Sequence, residues 1–360
     1  MTALVVRRLG RVEYADGLAL QAHFAAARRA GTVDDTLLLL EHSPVITLGR
    51  GAEAHNVLLP ERELHARGVE LFATDRGGDV TYHGPGQIVG YPIFDLAPDR
   101  KDVRKYVRNL EEVLIRAAGD FGVIAERIDG RVGIWVRSPK DFAPHQRKIA
   151  AIGVHLSRWI TTHGFAFNVA PDLGHFGFIV PCGIRDAGVT SLAAELVAAP
   201  SQRAVEDRLA SHTAQVFGRE VVEHAADVQS VLVAVLRRSS SGTEALLLRR
   251  TPARGGFWQT VTGRIEAGET PLDAAQREAF EETGFQNPVS DLGYAHSFVR
   301  MDRVVQETCF ALWARPDAAV RMDPNEHDDQ RWTSLAKAIE EISFAGMKRA
   351  LRLAGETAAP

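Results

Sequence analysis

Two cysteines are all that this 360-residue chain contains. One of them, Cys182, stands between Pro181 and Gly183 in the stretch FIVPCGIRDAG. Proline fixes φ and lacks an N–H, and glycine opens backbone geometries closed to other residues, so the setting reads as a bend rather than a core strand. A thiol presented at a bend suits nucleophilic chemistry if a base removes its proton, because the thiolate is the reactive species. Lys148, in RKIAAIGVHLS, is the candidate base. At the strand period of two, Lys148, Ala150, Ile152, Val154 and Leu156 share one apolar face. An amine on a desolvated face has its pKa lowered. By pattern alone the simpler account is a strand-end lysine whose amine reaches water. Cys309, in the strand-like run VVQETCFALWA, reads as core.

A second group is acidic. In GRIEAGETPLDAAQREAFEETGF, Thr270 suits a helix N-cap, Pro271 the first helical position and Gly284 the C-terminal stop, which predicts one helix over 271–283. Glu278, Glu281 and Glu282 then fall at i, i+3 and i+4, where like charges repel by roughly a few tenths of a kcal/mol per pair. Arg277 lies about 100° round the helix from Glu278 and cannot neutralise all three. Leu272, Ala275 and Ala279 form the adjoining apolar stripe. Carboxylates gathered in this way suit a hard divalent cation, Mg²⁺ or Mn²⁺. A solvated acidic face is the alternative. Glu326, in DPNEHDDQRW, is a candidate further ligand or base, and reads equally as an exposed loop acid.

A third patch, RGGDVTYHGPGQIVGYP, sets Arg76, Tyr82 and His83 among glycines that let a ligand approach the backbone. It lacks the G-x-x-x-x-G-K-[ST] pattern, so ATP is not indicated by that route. Taken alone it reads as glycine turns between strands.

The elements that must carry these residues alternate along the chain. DTLLLLEHSPVITLG reads as two apolar strands about a turn at Ser43-Pro44. In DVRKYVRNLEEVLIRAAGDFG, Val103, Val107, Leu110 and Leu114 recur at helical spacing until Gly119 and Gly122. KIAAIGVHLS and GFAFNV read as strands, and APSQRAVEDRLASHTAQVFG as a helix. The pattern restarts with SVLVAVLRRSSSGTEALLLRR, two strands joined by a Ser/Gly turn. Interleaved strands and helices predict an α/β (α+β) class, with one domain over 1–224 and another over 225–360.

The composition is 45% hydrophobic and 24% charged with a net charge of -4, so no basic excess supports wholesale binding to DNA or RNA. Two cysteines cannot make a disulfide framework, and a reducing cytoplasm is the expected location. MTALVVRRLGRVEY is not a signal-peptide pattern, and no apolar run approaches the ~20 residues of a membrane span.

The spacing G-x5-E-x7-R-E-x-x-E-E-x-G-F over Gly263–Phe285 resembles the Nudix box, with Ala279 where a larger aliphatic residue is usual. The resemblance implies an α/β/α sandwich that hydrolyses a nucleoside diphosphate derivative. Glu278, Glu281 and Glu282 would hold Mg²⁺ or Mn²⁺, and one of them or Glu326 would activate water. FWQTVTG and NEHDDQRW are similar to members acting on dihydroneopterin triphosphate or nucleoside triphosphates.

Over roughly residues 5–215, RGGDVTYHGPGQ, RKIAAIGVHLSRWITTHGFAFNV and VPCGIRDAGVTSL, in that order, resemble the octanoyltransferases of lipoate biosynthesis. Their fold is shared with the catalytic domains of biotin and lipoate ligases. The resemblance implies Cys182 as the acyl-thioester nucleophile and Lys148 as its acid/base partner, with no cofactor for acyl transfer. Arg76, Gly77, Gly78, Asp79, Val80, Thr81, Tyr82 and His83 would line the acyl and carrier site together with Ala151, Ile152, Gly153, Gly164, Phe165 and Ala166. The implied partners are octanoyl-acyl carrier protein and the apo-lipoyl domains of 2-oxoacid dehydrogenase complexes and of the glycine cleavage H protein. No membrane partner is expected. Lys101, Arg104, Lys105 and Arg108 offer a basic face for an acidic carrier, or simply a solvated helix face. The rival reading is an ATP-dependent lipoate or biotin ligase with a nucleotide-sensing Nudix module that does not turn over.

Overall fold

The computed structural model describes residues 2–97, 101–137, 146–180 and 187–357. Its chain divides into two compact units, Met1–Ala225 and Ala226–Pro360.

The first unit begins with strand β1 (Thr2–Val12), helix α1 (Tyr14–Ala30) and strand β2 (Asp35–His42). All eight residues of β2 are buried, as expected of a continuous apolar run inside a sheet. The chain turns at Ser43-Pro44 into β3 (Val45–Leu48), followed by α2 (Glu61–Ala66), β4 (Glu70–Ala73), β5 (Val80–His83) and β6 (Gln87–Ile93). Next come α3 (Val103–Asp120), β7 (Glu126–Ile128), β8 (Arg131–Arg137), β9 (Gln146–Ser157) and β10 (Ile160–Asn168). The unit closes with β11 (Gly188–Val189), α4 (Leu192–Glu195), α5 (Gln202–Phe217) and β12 (Arg219–Glu223).

These strands form a main sheet in the order β12-β1-β2-β6-β10-β9-β8-β7, with β11 alongside β9, and a small sheet β4-β3-β5. Helices α3 and α5 cover one face of the main sheet. Leu110, Val113, Leu114 and Ala117 meet Leu209, Phe217 and the inward residues Leu37, Ile88, Phe165 and Phe167 there. The apolar stripe of α3 is rotated from the predicted one: Tyr106 and Val113 are buried, while Val103 at the helix start is exposed. Asp102 caps the helix by accepting from Lys105 N, which puts Val103 in the exposed first turn. A separate cluster of Ile46, Leu64, Val69, Val80, Tyr82 and Phe176 supports the small sheet.

The second unit contains β13 (Val228–Ser239), β14 (Gly242–Arg250), β15 (Trp258–Gln259), β16 (Val261–Arg264), α6 (Pro271–Thr283), β17 (Val289–Arg300), β18 (Arg303–Trp313), β19 (His327–Ser334), α7 (Leu335–Glu341) and α8 (Ala345–Glu356). Its mixed sheet pairs β13 parallel with β18 and antiparallel with β14 and β16; β17 flanks β18, and β19 flanks β14. Alternate residues of β13 serve two cores. Leu232, Ala234 and Leu236 pack towards α7 and α8, and Val231, Val233 and Val235 towards α6. This is a helix–sheet–helix sandwich. The segment SLAKAIEEISFAGMKRAL forms two helices, parted at residues 342–344. Among the described residues no helix is long and apolar enough to cross a membrane.

Candidate active sites

In the first unit the site starts from β9. Trp135 pairs with Lys148, yet Ile134 pairs with Ala150, so Ile149 is an extra residue, a β-bulge. The expected common face of Lys148 and Ala150 is therefore corrected. Neighbours on β8 point to opposite faces, so Lys148 lies with Trp135 and Ala150 lies with Ile134 in the core. The Lys148 amine sits 4.7 Å from the Trp135 ring centroid, in a buried setting. Beyond the bulge, Ala151 and Gly153 return to the Lys148 face.

That face is a groove floored by small residues. Gly153 pairs with Gly164, and Ala151 with Ala166, which in turn pairs with Val89 of β6. Arg76, Gly78, Asp79, Val80, Thr81 and His83 form one wall, and Ile152 and Phe165 also reach the cavity. Gly153 is required by close approach: a Cβ there would lie 2.8 Å from Gly77 O. Gly77 N donates to Val154 O at 2.9 Å, which seats the glycine loop on β9.

Arg76 is buried, and its guanidinium donates to Thr47 Oγ1, Thr47 O and Gly77 O. It thus braces the wall as well as lining it. Asp79 accepts from Asn56 Nδ2 at 2.6 Å and from Val80 N at 2.7 Å. Of the fourteen lining residues expected from sequence, Gly77 and Tyr82 do not border the cavity. Tyr82 alternates away into the small-sheet core, with its hydroxyl 2.9 Å from His175 Nδ1.

Sequence reasoning missed the groove's aromatic side, made by Tyr14, Tyr91 and His163 with His42 behind them. Tyr91 OH lies 2.6 Å from His42 Nε2, and His42 Nδ1 donates to Val12 O at 2.7 Å. With Nδ1 carrying the proton, Nε2 accepts from the tyrosine. His163 Nε2 meets Asp75 at 2.8 Å. Burial lowers His42 to about 4 and pushes His83 well below the ordinary histidine value. Burial lowers His163 too, against the hydrogen bond it donates to Asp75. These rings are neutral at neutral pH. No spacing rule marks them, because they come from α1, β2, β5, β6 and β10.

Cys182 falls in residues 181–186, outside the described residues. Both flanks are described. Val180 N donates to Asn56 O at 2.8 Å, and Gly188 and Val189 pair with Arg147 and Lys148.

In the second unit, helix α6 runs Pro271–Thr283 with a capping box between Thr270 and Asp273 and a left-handed Gly284. Leu272 is exposed, and the buried stripe is Ala274, Ala275 and Ala279. Arg277 donates to Glu278 at 2.7 Å, Glu281 at 3.0 Å and Glu269 at 2.7 Å, and leaves Glu282 untouched. The three glutamates divide by depth: Glu281 is exposed, Glu278 half-buried and Glu282 buried. Burial raises the Glu278 pKa and pushes Glu282 well above the carboxylate range. Among the described residues neither Glu282 oxygen has a side-chain hydrogen-bond partner, and only the Thr262 backbone lowers its pKa as a donor; His327 Nε2 is 3.9 Å away and Arg250 Nη2 4.0 Å. Glu326 is paired with Arg250 and Arg254. Gly263 lies beneath α6, where a Cβ would collide with the Glu278 carboxyl group.

Among the described residues no three His, Cys, Asp or Glu side chains converge as a ready metal-binding group. An orphaned, buried carboxylate beside a second half-buried one is nevertheless a donor set that a hard cation fits, since each added positive charge relieves the burial cost.

Comparison with known proteins follows the same division. Residues 13–214 match the lipoyl protein ligase A/B catalytic domain family, and residues 228–353 the NUDIX domain family. An octanoyltransferase of Myxococcus xanthus is 48% identical over 358 residues, covering 98% of this chain and 99% of its own. One from Solibacter usitatus is 51% identical over 217 residues, 60% of this chain and 94% of its own. A lipoate-protein ligase A crystal structure with ATP superposes on 62% of this chain and 89% of its own, at 16% identity and a TM-score of 0.49.

Proposed function

The chain belongs to the octanoyltransferase family and carries a C-terminal NUDIX domain, and from that premise we propose a ping-pong acyl transfer through Cys182 joined to a metal-dependent diphosphate hydrolysis. One observation carries the first half. The bulge at Ile149 turns Lys148 onto the face of the groove, and Val189, which follows the Cys182 segment, pairs directly with Lys148.

In the first half-reaction Lys148 takes the Cys182 proton, and the thiolate attacks the octanoyl thioester of acyl carrier protein. The new S–C bond forms as the carrier's C–S bond breaks, and the proton passes to the departing thiol. In the second, a lysine amine of an apo-lipoyl domain attacks the acyl-enzyme. Cys182 leaves and recovers a proton through Lys148. The acyl chain would lie along the groove's floor of small residues, and no ATP is consumed. The acceptors are the lipoyl domains of 2-oxoacid dehydrogenase complexes and of the glycine cleavage H protein, and the location is the cytoplasm.

The carrier docks on the basic end of α3. Arg104, Lys105 and Arg108 are exposed there, beside a groove that Val103, Arg127 and Arg131 help to line. Arg131 lies over Trp135 at 5.7 Å, the ring that also receives the Lys148 amine. The double reversal Lys105→Glu, Arg108→Glu is expected to raise the KM for carrier several-fold and flatten its salt dependence. Unchanged kinetics at 50 and 200 mM salt would rule out this surface.

In the second unit Glu278 and Glu282, with Glu281 or Glu326, would hold Mg²⁺ or Mn²⁺. The metal supplies neutralisation of diphosphate charge and a more acidic water. Arg277 holds Glu278 and Glu281 in place, and Gly263 leaves room for the Glu278 carboxylate.

The test is to mix the full chain with octanoyl-carrier protein and weigh it intact. A covalent octanoyl adduct is expected without ATP, absent in Cys182→Ser. An adduct that persists in that variant, or transfer that requires ATP, sinks the acyl-enzyme.

A further inference from the structure

Lys148 lies where β9 has left its partner β10. The ladder between them stops at the pair Ala150–Phe167, beside the bulge, and Lys148 is flanked instead by β8 and β11. Strand β11 is only Gly188 and Val189, shorter than the roughly 3–10 residues usual for a strand, so its own ladder holds it weakly. It runs on into Thr190, whose N–H donates to Lys148 O at 3.0 Å. The carbonyl of Thr190 accepts from Asn168 Nδ2, at the end of β10, at 2.9 Å, and both residues are buried. The Thr190 hydroxyl donates to Glu195, which Arg147, the neighbour of Lys148, grips through both Nη atoms.

The Asn168 amide is itself oriented from the groove. Gln87 Nε2 donates to Asn168 Oδ1 at 2.9 Å and to Tyr82 O at 3.2 Å, so Gln87 Oε1 accepts from His83 Nδ1 at 2.7 Å. His83 Nε2 is then an acceptor, and Thr47 Oγ1, which receives two N–H groups of Arg76, stands 3.5 Å from it. The donors thus run one way, from Arg76 and His83 on the groove wall through Gln87 and Asn168 to the Thr190 carbonyl. A buried polar network in which the members satisfy one another fixes a single arrangement.

We propose that Asn168 is a positioning residue for acyl transfer: through Thr190 it fixes the backbone of Lys148, and so the place of the amine that serves the nucleophile. The proposal rests on the acyl-enzyme reading for the role of Lys148.

The full-length chain is mixed with octanoyl-carrier protein under single-turnover conditions, and adduct formation is timed by intact mass across a pH series. Asn168→Ala is expected to slow acylation about tenfold or more, the scale of a misplaced catalytic group, while the carrier concentration giving half-maximal rate stays within about twofold. The acid limb of the rate profile is expected to move up towards the ordinary thiol value of about 8.5, because an amine displaced from the sulfur no longer favours the thiolate. Gln87→Met removes the donor that orients the Asn168 amide and is expected to slow acylation about threefold, with the limb moving the same way. A lower melting temperature in Asn168→Ala without the change in rate and limb marks a structural residue and overturns the proposal. If that variant does not fold, an unchanged rate and limb in Gln87→Met overturn it. No adduct on the unaltered chain overturns the acyl-enzyme and this role together, whereas an adduct that forms as fast in both variants as in the unaltered chain overturns this role alone.

Discussion

At the scale of single residues, burial decides what each charge can do. Glu282 is buried with no side-chain hydrogen-bond partner among the described residues, and burial holds its carboxyl far above the ordinary range. Glu282→Gln removes a buried ionisable group, so the metal-free protein is expected to melt no lower than the unaltered chain. The stabilisation by Mg²⁺ and any nucleotide hydrolysis are expected to vanish. A Mg²⁺-dependent rise in Tm that survives the substitution excludes this glutamate as a ligand. His42 makes the opposite case. Its folded pKa of about 4 lies below the unfolded value of 6.5, so the unfolded chain binds the extra proton between them. Stability is complete above pH 6.5 and falls as pH drops towards 4, by roughly 2 kcal/mol at pH 5 from this group alone. Urea titrations at pH 7 and pH 5 are expected to show this slope, with His42→Gln flattening it by that amount.

At the scale of elements, ion pairs and packing fix the frame around the groove. Asp35, at the start of β2, is buried and accepts from Arg28 Nε at 2.8 Å, from Arg219 and from Asp95 N at 3.1 Å. This one carboxylate joins the end of α1, β2, β12 and the chain after β6. Asp35→Ala leaves buried arginine charge unpaired and is expected to cost about 3–5 kcal/mol. Leu114→Ala, in the contact of α3 with the sheet, is expected to cost about 2–5 kcal/mol. Denaturant unfolding that shows less than about 1 kcal/mol for either contradicts the assigned packing. The bulge at Ile149 belongs to this scale too. It adds one residue to β9 opposite β8 and so determines which face carries Lys148.

At the scale of the molecule, each unit has its own hydrophobic cores and its own chemistry. Cys182→Ser is expected to abolish octanoyl transfer while leaving nucleotide turnover unchanged, and Glu282→Gln the reverse. Loss of both activities in either variant would show that the sites are not separate. Much of this was legible in the sequence because it is local. Thr270, Pro271 and Gly284 bound α6 where their backbone preferences place it, and the apolar run of β2 marks a strand buried on both faces. The glycine, lysine and cysteine motifs, in their order, carry the resemblance to octanoyltransferases, and the glutamate spacing the resemblance to the Nudix box, which the family matches bear out. Tertiary structure alone decided the rest. An inserted residue breaks the period of two without changing composition, so the side taken by Lys148 follows from its pairing with Trp135. The depth of Glu282, the neutral histidines around Tyr91 and the buried contact of Asn168 with Thr190 depend on strands far apart in the chain. Their desolvation is a property of the packed whole, and no window of sequence contains it.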